Sequence, residues 1–254
     1  MKFLTRRESL IVLLAIAALA TVMALPPIAQ DPMYHDFADR RTFLGIPSFL
    51  NVVSNLAFLA VGLAGIDLCV RRRRTIDARW AWSACFSGVA LVSIGSGYYH
   101  LAPDNIALMW DRLPMSLGFM GLLVAVLTEH VNLKLEKILL LPAILFGVAS
   151  VVYWHYSDDL RLYVLVQFLP LLVLPVILLL FDSRYTHRGL LFLALAIYVV
   201  SKLAEDYDRV VFAATGNIVS GHSLKHLLAA LALFVVYGML RQRTPRAEPA
   251  RRPG

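Results

Sequence analysis

Residues 161–181 read RLYVLVQFLPLLVLPVILLLF, and their only charge, Arg161, stands at the start. About 20 consecutive apolar residues suffice to cross the hydrocarbon core of a bilayer as a helix. Runs of that kind recur at about 9–25, 47–70, 81–100, 107–129, 137–154, 188–206 and 219–240. The chain of 254 residues is 59% hydrophobic and 16% charged, against roughly 25% charged in a soluble domain. Its mean hydropathy is +0.69. The alternation of a membrane strand is missing, and a helical bundle is the other way to satisfy backbone groups in lipid. The fold class is therefore all-α: a polytopic membrane helical bundle with a seven-helix core and one extra N-terminal helix.

The domain plan follows. Residues 1–30 form a hydrophobic helix or signal anchor, with a basic start and an apolar stretch but no clean small-residue cleavage site. Residues 31–240 form the seven-helix domain. Residues 241–254, ending TPRAEPARRPG, are expected to be a disordered basic tail.

Charge sets the orientation. Of 24 Lys and Arg, 17 fall in alternate segments: Lys2, Arg6 and Arg7, the RRRRTIDAR loop at 71–79, Lys134 and Lys137, Arg184 and Arg188, and the tail from Arg241 to Arg252. The opposite loops hold Arg40, Arg41, Arg161 and Arg209 beside several aspartates. The positive-inside rule places the first set in the cytoplasm. The expected setting is a bacterial inner membrane, multi-pass, with the C-terminus cytoplasmic. The net charge of +7 thus reports topology, and no nucleic-acid partner is expected. Cys69 and Cys85 make neither a metal-type CxxC nor a disulfide framework.

Polar residues inside spans are costly and usually functional. The third span ends SIGSGYYHLAPD, with Ser96 and His100 four apart and so on one face. The fourth opens IALMWDRLPMS, with Asp111 in its first turns. The last opens GHSLKHLLAA, with His222 and His226 again four apart. The topology puts all three at the outer level, periplasmic in a Gram-negative cell. Three neutral imidazoles suit Zn²⁺ with a fourth position left for water. Such a water becomes a nucleophile near neutral pH. Asp111 is placed to orient it or move its proton, and Ser96 to donate to a developing oxyanion.

These residues carry a resemblance. NVVSNLAFLAVG (51–62), the S-x-x-x-H of Ser96 and His100, Asp111 eleven residues later, and G-H-S-L-K-H together resemble the alkaline ceramidase family over roughly residues 34–240. Its superfamily of seven-helix membrane hydrolases includes adiponectin-type receptors and a GPI-lipid-remodelling branch. The resemblance implies a zinc amidase that cleaves the N-acyl bond of ceramide, a membrane lipid, to a sphingoid base and a fatty acid. By position, His100, His222 and His226 match the zinc ligands, Ser96 the oxyanion helper and Asp111 the acid–base residue. The resemblance also raises Ca²⁺. Members from eukaryotes bind it in an acidic segment before the first core helix, where this chain reads YHDFADRRTFLGIPSFLN. Asp36, Asp39 and Asn51 offer oxygen ligands of the type it needs. Ser48 replaces an acid of the family pattern, and Arg40 and Arg41 oppose a cation.

Other polar residues have plainer readings. Asn51, Ser54 and Asn55 suit hydrogen bonding between helices, and Lys202 and Asp206 suit an i,i+4 ion pair. Glu205 is placed to approach the site, and Lys225 to reach the interface. His35, His130, His155 and His187 lie in loops or at helix ends. Two other functions stay open: a lipid-sensing receptor of the same superfamily, and a haem carrier. An i,i+4 pair cannot ligate both faces of one haem, and Ser96 and Asp111 would then be idle.

Overall fold

The computed structural model describes residues 4–246, nearly all of them in helices or short connections. In chain order the helices are α1 (Arg6–Ala24), α2 (Phe49–Val53), α3 (Leu56–Arg71), α4 (Arg79–Leu101), α5 (Asn105–His130), α6 (Leu135–Ser157), α7 (Arg161–Leu180), α8 (Gly189–Asp206), α9 (Asp208–Ala214) and α10 (Gly221–Gln242). With α2 and α3 counted as one broken span, and α9 as a short turn at one end, a core of seven long helices remains beside α1. Among the described residues there is no strand, only isolated bridges. The fold is an all-α helical bundle, as the apolar runs imply, and the chain is an integral membrane protein.

Six helices are long and apolar enough to cross a bilayer: α1, α2–α3 together, α5, α6, α7 and α10. The expected spans also include α4 and α8, which fall short for a physical reason. Helix α8 carries Lys202, Glu205 and Asp206, and α4 is diluted by its serines, glycines and the closing Tyr98, Tyr99 and His100. Ser96, Tyr99 and His100 of α4 are buried in the bundle and Glu205 of α8 nearly so, whereas Tyr98 and Asp206 are exposed. Large apolar side chains such as Ile94, Leu141 and Leu179 point outward, as expected where lipid is the solvent.

Helix α4 lies between α3 and α5, α10 packs on α8 and α3, and α5 also meets α6 and α7. Small residues allow the close approaches, as in other membrane bundles. A Cβ on Gly95 would stand 2.2 Å from the carbonyl oxygen of Trp110. That carbonyl lies four residues before Pro114, which has no N–H to offer it. A Cβ on Gly221 would stand 2.0 Å from the carbonyl oxygen of Ala204. These two crossings bring Ser96 up to Asp111, and the start of α10 up to α8.

Helix α1 opens with a capping box, Thr5 and Glu8 each accepting the other's backbone N–H, and packs along α7. Arg7 donates to the Leu180 carbonyl, and Arg161 donates to the carbonyl of Leu25. The tail differs from expectation near its start. Arg243 is buried in an ion pair with Glu129, and the Arg246 amide donates to the Arg184 carbonyl. A buried carboxylate thus anchors the first residues of a segment whose composition suggests disorder. The rest of that tail, with Arg251 and Arg252, and Lys2 at the other end lie outside the described residues.

Candidate active site

Helix α10 begins where its first amides find acceptors. Ser220 accepts from the Ser223 amide at 3.0 Å, and Asp208 Oδ1 accepts from the His222 amide at 2.7 Å. Asp208 Oδ2 also accepts from the Ala38 amide at 2.8 Å, tying in the loop before α2. His222 and His226 then follow one turn apart and face His100, in the last turn of α4.

The three imidazoles are buried, with donor atoms all within 4.8 Å of one another. Nε2 of His222 lies 3.3 Å from Nε2 of His100. His226 Nδ1 is engaged by Ser54 Oγ at 2.8 Å, while His226 Nε2 and His100 Nδ1 have no hydrogen-bond partner. Leaving a buried polar atom unsatisfied costs roughly 1–3 kcal/mol, and clustered ring nitrogens multiply that cost unless a cation takes their lone pairs. The donor set therefore fits a metal ion that prefers nitrogen ligands. The Phe37 ring closes over the group, 4.7 Å from the ring of His100 and 4.5 Å from that of His222.

Asp111 and Ser96 are buried on facing helices, and Asp111 Oδ1 has no partner. Together with His226 they line a cavity of about 280 Å³. Tyr34, Glu205 and Lys225 share its polar end, and Val89, Leu122, Leu174 and Val236 line the remainder. Along α4 it runs from Ser96 to Cys85, about 16 Å at 1.5 Å per residue. The structure thus gathers the three histidines in one cluster, and Ser96 and Asp111 beside it.

Other expectations need correction. Lys202 pairs with Glu205, not Asp206, and Lys225 turns to the same carboxylate at 2.9 Å instead of reaching the interface. Glu205 does approach the site as expected, lining the cavity 3.9 Å from His222 Nδ1. A buried carboxylate between two helices outcompetes an exposed one for both ammonium groups. The calcium donors are likewise committed elsewhere. Asp36 is held by Arg40 and Arg209, and Asp39 by Arg41, whose hydrogen bonds keep its carboxyl below the usual range. The Asn51 side-chain oxygen Oδ1 accepts from the Ser223 hydroxyl at 2.7 Å. Calcium needs such oxygens free and undercompensated, and in this structure each of the three has a protein partner.

Sequence reasoning passed over the part of Ser54 at His226, the double acceptor Asp208, and Arg112. The Arg112 guanidinium lies over the rings of Trp154 and Tyr163 and lines the same cavity. Only Arg112 announced itself, as a charge within an apolar run.

A ceramidase family model matches residues 45–248, a stretch containing all of α2 to α10. No curated protein matches the chain. Because that match covers well over half of the chain, the chain belongs to the ceramidase family and is a membrane hydrolase of the lipid amide bond.

Proposed function

We propose that the protein is a zinc-dependent amidase that hydrolyses the N-acyl bond of ceramide or a related N-acyl lipid, releasing a sphingoid base or amine and a fatty acid. One observation carries this reading: the buried three-histidine cluster opens, through His226, onto a long apolar cavity that also presents Asp111 and Ser96. His100, His222 and His226 would hold the zinc. When bound, it supplies Lewis acidity and makes water a competent nucleophile near neutral pH.

The chain's own residues do the rest. Asp111 takes the proton from the attacking water and returns it to the amide nitrogen as the C–N bond breaks, so the hydroxyl ends on the acyl carbon. Ser96 donates to the carbonyl oxygen as charge gathers there. Leucines and valines below hold an alkyl chain out of water. Phe37 shields the imidazoles from solvent, which strengthens each polar interaction beneath it. The distribution of basic residues supports an outward-facing, periplasmic site.

The deciding experiment measures zinc content and ceramide turnover on detergent-purified wild type and His222→Ala. About one zinc per wild-type chain is expected, with metal and turnover lost together in the variant. A wild type free of zinc yet active would overturn the metal assignment.

A further inference from the structure

Arg112 is 5% exposed, and no carboxylate pairs with it among the described residues. Elsewhere the chain treats its buried Arg243 and its partly buried Arg161 differently. Arg243 is held by both oxygens of Glu129, and Arg161 pairs with Asp159 at 2.8 Å. Arg112 has one neutral acceptor, Gln30 Oε1 at 2.7 Å, and its Nη1 has no partner. Three aromatic rings hold the plane of the guanidinium: Trp154 at 4.1 Å, Tyr163 at 4.8 Å and Tyr34 at 5.7 Å. Such stacking fixes the fork without neutralising it. A buried guanidinium that no carboxylate touches, with Asp111 beside it acting only through space, is expensive at membrane depth and marks a binding group.

Its place narrows the ligand. Asp111 and Arg112 are consecutive on α5 and so point about 100° apart. Asp111 shares the Ser96 side, and Arg112 turns to the last turn of α6 and the first turn of α7. Both line the same cavity. The loop holding Gln30 and Tyr34 leads directly to Phe37 over the histidines, so Arg112 belongs to the headgroup end and not the apolar floor.

We infer that Arg112 binds an oxyanion on the substrate headgroup. The preferred substrate is then an N-acyl lipid bearing phosphate, sulfonate or carboxylate close to its amide, cleaved faster than its neutral parent. The inference rests on the amidase reading and names its substrate class. A planar guanidinium grips such groups through two parallel N–H bonds.

The test compares kcat/KM for ceramide 1-phosphate and its neutral parent on full-length purified protein. The wild type should favour the phosphate at least tenfold. Arg112→Gln should bring that ratio near one, and Arg112→Lys should keep part of it. Preference for the neutral parent, or a ratio that Arg112→Gln leaves alone, overturns the inference. A second arm on the wild type guards against a variant that does not fold: dodecyl phosphate should raise the melting temperature and dodecanol should not, and equal effects overturn the inference. Laurate binding that depends on Arg112, with no preference between substrates, would assign the arginine to the departing fatty acid and overturn the headgroup role. If no N-acyl lipid is cleaved, the amidase reading fails, and the dodecyl phosphate arm still decides whether Arg112 binds an anion.

Discussion

Ser54 Oγ stands 2.8 Å from Nδ1 of His226, across 172 residues of chain. The break between α2 and α3 makes this contact: Ser54 sits in the interruption, where its hydroxyl can turn into the bundle. With Nδ1 engaged, the ring orientation is set and Nε2 is presented to the cluster. Partners of this kind typically contribute 10–100-fold to metal affinity. Ser54→Ala should therefore weaken zinc binding by about 10- to 100-fold, with Ser54→Thr closer to wild type. Competition against a graded chelator measures it, and unchanged affinity would reduce the contact to packing.

Zinc binding and chemistry should separate by residue. Asp111→Asn should keep its zinc and lose about 10²–10⁴-fold in turnover, the usual contribution of an acid–base group. Ser96→Ala should keep zinc and lose up to about 10²–10³-fold. His100→Ala and His226→Ala should lose metal and turnover together. Elemental analysis beside a lipid-amide assay reads all four, and full turnover by Asp111→Asn would refute its assigned role.

Gly95→Ala tests the helix crossing. The added methyl meets the Trp110 carbonyl at 2.2 Å, and overpacking typically costs about 1–3 kcal/mol. The melting temperature should fall, and turnover with it, since Ser96 follows directly. Gly97→Ala is the control, because its Cβ meets nothing within 4 Å.

Asp159, in the connection between α6 and α7, predicts an acid response. Hydrogen bonds from Arg161 push its carboxyl down to about 2. A depressed folded value favours the folded state above the unfolded value of about 3.9, and that contribution disappears as pH falls towards 2. The melting temperature should decline over that window in wild type. Asp159→Asn, which keeps the shape without the charge, should start lower at neutral pH and show a shallower decline. Parallel slopes would remove this pair from the acid response.

Orientation is testable without activity. The partition of basic residues predicts that green fluorescent protein fused to the C-terminus fluoresces and alkaline phosphatase fused there stays inactive. The reverse pattern would invert the proposed periplasmic site.

The helices and the three histidines were legible because each depends on local information, an apolar run or an i,i+4 repeat. The level of Ser96 and Asp111 followed once the spans were counted. Partnerships were harder to read. Lys202 has acids at both i+3 and i+4, and spacing alone cannot tell that Glu205 lies towards α10, where Lys225 adds a second cation. Asp36 and Asp39 look like cation ligands until the fold of their loop hands them to arginines. Ser54 is one of two hydroxyls in its span, with Ser48, and only the break after α2 distinguishes it.

Asp208 accepts from the amides of both Ala38 and His222. The stretch that carries Phe37 over the imidazoles and the first turn of α10 therefore share one anchor, beside the links that Arg41 and Asn51 make between the same two segments. Lifting the cover strains the seat of two histidines, and disturbing that seat releases the cover. Exposure of the centre to water and loss of its alignment become the same event, so a molecule whose histidines are aligned for reaction is also one whose reaction chamber is shut.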